Sequence, residues 1–207
     1  MKKYISKFHY LTQDIADRSH VQQVQTACAA GANWIQYRCM TKPENELIDE
    51  INEIATICDD WGTTLIITNH YQILNHVDVQ GVHIEDLNAD FESIRETIGE
   101  DKTLGASATN PDDLLKIQSL GVVDYCGYGP FAATATKPNN YSLLGFEGYR
   151  KLERLAVEIP VIAVSGIQLQ DVELLLKTGV YGIAVSSAIN LSPDPGAALK
   201  AFYRKLY

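Results

Sequence analysis

The sequence predicts an α/β protein with a single (β/α)8 TIM barrel that occupies residues 1–207. Eight short apolar runs rich in β-forming residues alternate with helical patterns along the whole chain. Such alternation predicts parallel strands joined by right-handed helical crossovers, and eight units are enough to close a barrel. An open doubly wound sheet is the rival architecture, but no Gly-x-Gly-x-x-Gly follows the first strand, which disfavours the dinucleotide-binding version. No linker or break in composition divides the chain.

The predicted strands are mostly continuous apolar runs, as expected where both faces of a parallel strand are buried. In chain order they are residues 8–12, 34–39, 64–69, 81–85, 103–108, 123–129, 160–166 and 182–188.

Helical patterns occupy the intervals between the strands. The segment 43–62 begins with proline and acidic residues, places Leu47, Ile51 and Ile54 on one face and ends at Gly62, which is the usual asymmetry of helix ends. Residues 70–78 are predicted to form a weaker, shorter helix. The remaining predicted helices are residues 20–31, 91–99, 111–121, 146–158, 170–179 and 195–207.

Composition and charge restrict the classes of function. The chain is 46% hydrophobic and has a formal net charge of -9, so it can bury a sizeable core but lacks the basic excess of a nucleic-acid-binding protein. A small anionic ligand needs only a local positive site and stays compatible with this charge. No apolar run reaches the roughly 18 residues of a membrane span. The four cysteines lie in apolar segments without a Cys-x-x-Cys pair, which predicts the reduced thiols of a cytoplasmic protein.

Polar side chains at the strand ends are candidates for a ligand site, because TIM-barrel active sites lie at the C-terminal ends of the strands. Gln36 and Arg38 alternate on an otherwise apolar strand, so both are expected to face the barrel interior or its mouth. A buried arginine needs an anionic partner. That partner is either a phosphorylated ligand or, in a structural salt bridge, Glu85 or Asp86.

The residues after strands 7 and 8 indicate a phosphate site. Gly166, Ser186 and Ser187 supply backbone N–H groups and hydroxyls at the place where barrels of this class usually bind phosphate. The alternative interpretation is that small residues only allow strand and helix to pack closely.

The loop after strand 6 carries the sequence GPFAATATK. Thr134 and Thr136 alternate, so in an extended segment they point the same way, with Lys137 beside them. Hydroxyl donors and a cation suit phosphate oxygens, although a solvated turn is the alternative.

These stretches carry a family resemblance. Over nearly its full length the chain resembles thiamin phosphate synthase and its relative, the thiazole tautomerase. The resemblance implies a (β/α)8 barrel and a transferase that joins hydroxymethylpyrimidine pyrophosphate to hydroxyethylthiazole phosphate, releasing pyrophosphate and giving thiamin phosphate. The matching stretches are WIQYR (34–38), GVHI (81–84), GAS (105–107), VDYCGYGPFAATATK (123–137), SGI (165–167) and SSAI (186–189).

The resemblance also implies residue roles. Gln36 and Arg38 would hold the pyrimidine pyrophosphate, Lys137 would lie near the pyrophosphate, and the residues after strands 7 and 8 would take the thiazole phosphate. The predicted catalytic residues are Arg38, Lys137 and Ser107, and the predicted substrate-binding residues are Gln36, Asn69, Thr134, Thr136, Gly166, Ser186 and Ser187.

The chain departs from the family pattern at its magnesium site. Asn69 and Asn88 stand where the synthases carry metal-binding aspartates, and Met40 replaces a lysine on strand 2. Because hard Mg²⁺ prefers anionic oxygen, we assign no metal ligands in the protein and predict a magnesium ion that is weakly bound or carried in by the pyrophosphate. Asp86 and Glu85 are nearby substitutes.

Two other functions stay open at this point. A tautomerase-like isomerase would need an acid–base histidine near the end of strand 5, where this chain has Thr109; His70 is the preferred replacement, and His83 is interpreted as a packed core residue. The other function is a non-catalytic binder of thiazole phosphate or thiamin phosphate. The predicted partners are small phosphorylated pyrimidine and thiazole compounds, without nucleic acid or membrane, and a homo-oligomer is left open.

Overall fold

The protein folds as a closed barrel of eight parallel strands with helices around it. The computed structural model describes residues 3–134 and 141–207, and within these ranges the strand order runs from β1 through β8. The barrel closes where Phe8, His9 and Tyr10 of the first strand pair with the last one. The (β/α)8 prediction is therefore confirmed. The strands are β1 Phe8–Leu11, β2 Trp34–Tyr37, β3 Thr64–Thr68, β4 Gly81–Ile84, β5 Thr103–Ala108, β6 Tyr125–Tyr128, β7 Val161–Ala163 and β8 Gly182–Val185.

Local capping explains where the main helices begin and end. Ser19 and Gln22 form a capping box at the start of the first helix, and Gly62 ends the second in the left-handed conformation. The helices are α1 His20–Ala29, α2 Glu44–Trp61, α3 Phe91–Ile98, α4 Pro111–Leu120, α5 Gly145–Arg150, α6 Val172–Leu176, α7 Ser187–Asn190 and α8 Pro195–Leu206, and the 3-10 helices are Tyr71–His76, Lys151–Arg154 and Leu169–Asp171.

Two apolar clusters hold the barrel together. The larger one lies between the strands and the surrounding helices. The smaller one fills the barrel interior and includes Trp34, Ile66, Tyr125 and Ile162. These inward side chains form a closed floor, so that polar residues further along the same strands are left at the C-terminal mouth.

Two helix predictions were too long. The predicted helix 146–158 is α5 followed by a 3-10 helix that ends at Arg154. Beyond it, the Gln118 side chain bonds Ala156 O at 2.8 Å and Glu158 N at 2.6 Å, and this contact from α4 fixes the following segment outside the helix. The predicted helix 170–179 is likewise a 3-10 turn followed by the short α6.

The prediction for strand 8 was wrong at its end. The strand stops at Val185, and α7 begins at Ser187, so a short helix replaces the last predicted strand residues. All four cysteines are buried free thiols. Within the described ranges, the helices are too short or too polar to cross a membrane.

Candidate active site

A cavity at the C-terminal mouth of the barrel gathers most of the predicted site residues. It holds about 130 Å³ of space accessible to water and is lined by residues from every strand except β3. Asn69 lies outside it, in a neighbouring cleft, and Thr136 and Lys137 fall outside the described residues. The predicted residues that do line the cavity are Gln36, Arg38, Ser107, Thr134, Gly166, Ser186 and Ser187.

A larger groove of about 510 Å³ lies at the opposite end of the barrel, beside Ile5, Val161 and Tyr181. These residues precede or begin their strands. Because active sites of this fold lie at the C-terminal ends of the strands, the smaller cavity is the candidate active site.

Arg38 forms a bidentate ion pair with Glu85 inside the cavity. Its Nε lies 2.8 Å from Oε1 and its Nη2 lies 3.1 Å from Oε2 of the carboxylate. The salt bridge weighed from the sequence is therefore present. Burial alone would lower the pKa of Arg38, but the Glu85 and Asp14 carboxylates raise it above its ordinary value. Both residues of the pair line the cavity, so an anionic ligand would meet a guanidinium that already has one carboxylate partner.

Ser107 lies at the end of a buried chain of hydrogen bonds. Its Oγ is 3.0 Å from His83 Nε2, and His83 Nδ1 is 3.0 Å from the Tyr125 hydroxyl. Burial raises the pKa of Tyr125 far above its ordinary value, so this residue is a neutral phenol. We assign its O–H as the donor to Nδ1, which makes His83 Nε2 the donor to Ser107 and leaves the serine hydroxyl proton directed elsewhere.

His9 and Gln36 complete the polar layer above the floor. His9 stacks on Trp34 with ring centroids 4.4 Å apart and bonds to Ser6 O at 3.0 Å. Burial, together with the nearby His83, lowers the pKa of His9 to about 3, so its ring is neutral. Gln36 donates from Nε2 to Thr68 Oγ1 at 2.9 Å, and this bond fixes its side chain on the cavity wall.

The turn after β7 has an unusual backbone. Ser165 and Gly166 have φ angles of 72° and 74°, and a Cβ on Gly166 would lie 2.6 Å from Ala132 O. Ala132 N in turn bonds to Ser165 O at 3.1 Å. Glycine is therefore required at position 166, where the loop after β6 packs directly on the turn after β7.

The Ser186 hydroxyl is held at the mouth by two side chains. It lies 3.3 Å from Gln13 Oε1 and accepts a hydrogen bond from Asn190 Nδ2 at 3.2 Å. Ser187 begins α7 beside it. The turns after β7 and β8 thus place three serines, Ser165, Ser186 and Ser187, and a glycine at the cavity.

The chain does not supply the donors of a resident magnesium site at the ends of β3 and β4. Asn69 Oδ1 accepts the Glu85 N–H at 2.9 Å, and Asp86 Oδ1 accepts the Asn88 N–H at 2.9 Å. Both Glu85 oxygens face Arg38. Among the residues with described positions, this region contains no group of three histidine, cysteine or acidic ligands, so the residues present do not fit a protein-bound Mg²⁺ ion.

The histidine predicted for the isomerase alternative lies elsewhere. His70 lines the neighbouring cleft with Asn69, not the cavity. Thr109, where the tautomerase histidine would lie, donates its hydroxyl to Asp113 at 2.9 Å. His83 is buried as the sequence interpretation expected, yet it also lines the cavity.

Sequence reasoning missed several lining residues. His9, Gln13 and Tyr125 line the cavity but were not selected. A signal for His9 was present, because His9 and Leu11 alternate on β1 in the same way as Gln36 and Arg38 on β2.

Comparisons with known proteins agree with this architecture. The sequence profile of the thiamine monophosphate synthase family matches residues 9–189. The chain belongs to the thiamine monophosphate synthase family. A thiamine-phosphate synthase of Phocaeicola vulgatus is 30% identical over 94% of this chain and 95% of its own length, and that of Salinibacter ruber is 32% identical over 97% and 88%.

Solved structures also support the family. The thiamine phosphate pyrophosphorylase from Pyrococcus furiosus superimposes with a TM-score of 0.85 at 28% identity, covering 97% of this chain and 95% of its own. These relatives confirm the predicted family, and they confirm an enzyme of the thiamin phosphate synthase type as the main functional prediction. The site roles predicted from the family stay predictions.

Proposed function

We propose that the protein joins hydroxymethylpyrimidine pyrophosphate to hydroxyethylthiazole phosphate, giving thiamin phosphate and pyrophosphate. The observation that carries the proposal is the convergence of Arg38, Ser107 and the turns after β7 and β8 on one cavity at the C-terminal mouth. Such convergence of a few polar groups is what a small-molecule site requires. Membership of the synthase family supports the same reaction.

The thiazole phosphate is proposed to bind at the turns after β7 and β8. Gly166 lets the backbone approach an anion closely, and the Ser186 and Ser187 hydroxyls lie on the same wall. Thr134 borders this wall from the loop after β6. These groups carry no net charge, so they would bind a phosphate through directed hydrogen bonds and not through charge–charge attraction.

The pyrimidine pyrophosphate is proposed to bind at Gln36 and Arg38, at the end of β2, which only β1 separates from β8. In the reaction, the C–O bond between the pyrimidine methylene and pyrophosphate breaks and the leaving group keeps the electron pair. The thiazole nitrogen then forms the C–N bond with its own pair. Stabilising the leaving pyrophosphate is thus the main catalytic task. Arg38 performs it through the N–H groups that Glu85 does not occupy, and Lys137 and Thr136 are predicted to assist.

Ser107 is proposed to contact the reacting centre. The hydrogen bond from His83 leaves its hydroxyl as a donor with a fixed position. Because His83 is itself bonded to Tyr125, the hydroxyl is preorganised before substrate binds. No proton transfer is needed for the C–N bond, so this hydroxyl acts by orientation and polarity.

Thiamine-phosphate synthases are typically dependent on Mg²⁺, and the described residues at the ends of β3 and β4 do not supply the donors of a site for it. We propose that the ion enters as a complex with the substrate pyrophosphate. The protein would then bind the complex through Arg38 and contribute no carboxylate ligand. We also propose that the enzyme acts in the cytoplasm, where the buried free thiols would stay reduced. A homo-oligomer stays open.

The proposal is tested by product formation in matched variants. Thiamin phosphate can be oxidised to a fluorescent thiochrome derivative, which gives initial rates with each substrate varied in turn. Arg38→Gln is expected to lower kcat by about 100- to 1,000-fold, the usual cost of losing one preorganised charge-stabilising donor. Arg154→Gln, an exposed arginine on the 3-10 helix after α5, is the control and should keep full activity.

Equal activity of Arg38→Gln and the control would refute the role of Arg38. Absence of product from the unaltered protein, with thiazole phosphate still bound, would refute the synthase and favour a non-catalytic binder. Circular dichroism of each variant establishes that the barrel has folded.

A further inference from the structure

A cluster of three metal-ligating side chains lies beside the cavity, on the loops after β1 and β2. Asp14, His20 and Cys39 each offer one ligand atom, and the three atoms lie within 4.8 Å of one another. His20 and Cys39 are buried, while the Asp14 side chain is 27% exposed. The arrangement therefore has two buried ligands and one partly open side.

The chain folds tightly to bring these residues together. An antiparallel bridge joins Ile15 to Arg18 and reverses the backbone, so that His20 at the start of α1 returns to Asp14. Gln23 fastens the same turn from α1, since its side chain bonds both the N–H and the C=O of Gln13. The ligand positions are thus set by backbone contacts and do not depend on a metal.

The hydrogen bonds of His20 suit metal ligation. Its Nδ1 lies 2.8 Å from Thr12 Oγ1, and its Nε2 lies 3.1 Å from Asp14 Oδ1. A metal-binding histidine usually donates its other N–H to an outer partner that fixes the ring, and Thr12 occupies that position. Tetrahedral zinc with the usual bond lengths places its ligand atoms about 3.3–3.8 Å apart. The Nε2–Oδ1 pair is 3.1 Å apart and all three ligand atoms lie within 4.8 Å of one another, so small side-chain movements would close the site around an ion.

The charges around the cluster also accommodate a cation. Asp14 and a Cys39 thiolate would together balance a divalent ion. Asp14 Oδ2 accepts the Met40 N–H at 2.9 Å, and Oδ1 faces His20 Nε2 and also accepts the Thr41 hydroxyl at 3.0 Å. A bound ion would take the place of the His20 contact. Arg38 is adjacent in sequence, and its guanidinium pairs with Glu85 but also interacts with the Asp14 carboxylate. The Glu85 pair offsets part of its repulsion of a nearby cation.

We propose that Asp14, His20 and Cys39 form a zinc site with a fourth position open to water. Imidazole and thiolate ligands favour Zn²⁺ over Mg²⁺. On binding, Cys39 loses its thiol proton to solvent and the sulfur forms a bond to zinc, with no change of oxidation state. The site is separate from the proposed substrate contacts, although its ligands Asp14 and Cys39 are sequence neighbours of the cavity residues Gln13 and Arg38.

Metal titration of the whole protein tests the site without any activity measurement. Protein kept under reducing conditions and freed of metal is titrated with Zn²⁺ against a chromophoric chelator, and separately with Co²⁺. We expect one ion per chain and a thiolate-to-cobalt charge-transfer band. Cys39→Ser should abolish the band and weaken zinc binding by more than about 100-fold, beyond the cost of losing an outer-shell partner.

Two further variants keep the test decisive. Cys58→Ser removes a buried thiol on α2, outside the cluster, and should bind both ions like the unaltered protein. Thr12→Val should weaken zinc by about 10- to 100-fold and keep the cobalt band, because it removes the outer partner of His20 but no ligand atom. It also removes the acceptor of the Arg38 N–H, so circular dichroism must show that this variant is folded. The proposal is overturned if the unaltered protein binds no zinc at equimolar micromolar concentrations, or if folded Cys39→Ser and Thr12→Val bind it unchanged.

Discussion

Replacing Gly166 with alanine tests the proposed phosphate site, because the cost can be worked out from the backbone. Gly166 has a φ of 74°, and an alanine held in the left-handed region costs about 1–2 kcal/mol. The new Cβ would also lie 2.6 Å from Ala132 O and 2.8 Å from Ala132 C. Relieving such an overlap costs about 1–3 kcal/mol more, so the total loss of unfolding free energy is about 2–5 kcal/mol.

Gly121→Ala provides a matched control for this change. Gly121 has a φ of 69°, and a Cβ there would meet nothing within 4 Å. It should therefore lose only the conformational part, about 1–2 kcal/mol. Urea unfolding of both variants, analysed as a two-state transition, separates the steric contact with the loop from the strain of the left-handed backbone.

Binding measurements extend the comparison to function. Relieving the overlap must move the turn after β7 or the loop that carries Thr134, and both line the cavity. Calorimetry should show thiazole phosphate affinity falling by about 10- to 100-fold in Gly166→Ala, with no change in Gly121→Ala. Equal stability losses in the two variants, together with unchanged binding, would refute the assignment of this turn to the phosphate.

Three other predictions follow from the site. Glu85→Gln should increase the affinity for inorganic pyrophosphate by about 100-fold, since two like charges about 6 Å apart repel by roughly 3 kcal/mol at an effective dielectric constant near 20. Unchanged calorimetric affinity would show that Glu85 does not compete for Arg38. Asn69→Asp combined with Asn88→Asp should lower the Mg²⁺ concentration needed for half-maximal rate, and an unaltered magnesium dependence would contradict the inferred loss of a protein site. The pKa of His9 is lowered to about 3 in the folded state, so the unfolded chain binds more protons below pH 6.5 and stability falls as the pH decreases. Between pH 7.5 and 5, this group should cost about 2 kcal/mol, and His9→Phe should lose correspondingly less in urea unfolding.

Much of the site was predictable because the barrel restricts where side chains can go. Gln36 and Arg38 alternate along an otherwise apolar strand, so their side chains share one face and were expected to point to the interior. The structure places both on the cavity wall. The strand-end rule brought Ser107, Gly166 and Ser186 to the same cavity. Residues separated by much of the chain were thus grouped from sequence alone.

The partner of each polar side chain could not be predicted in this way. From the sequence, the anionic partner of Arg38 could be a phosphorylated ligand, Glu85 or Asp86. The register of β2, β3 and β4 brings Glu85 within hydrogen-bond distance of its guanidinium. Asn69 follows its strand with a positive φ of 66°, and its amide bonds the Glu85 backbone instead of entering the cavity. These outcomes depend on tertiary contacts that no local pattern records.

The C-terminal end of a helix was also predicted poorly from the local sequence pattern. Residues 146–158 read as one amphipathic helix, but Gln118 of α4 supplies hydrogen bonds to Ala156 and Glu158. These bonds satisfy the backbone outside a helix, so tertiary contact overrides propensity.

Direct detection of product is the test of the proposed synthase reaction. The unaltered protein is incubated with hydroxymethylpyrimidine pyrophosphate, hydroxyethylthiazole phosphate and Mg²⁺, and both thiamin phosphate, as its thiochrome derivative, and pyrophosphate are measured over time. The account predicts that both products appear in equal amounts, in a reaction that requires the protein and both substrates. Absence of thiamin phosphate, from folded protein that still binds thiazole phosphate, would contradict it.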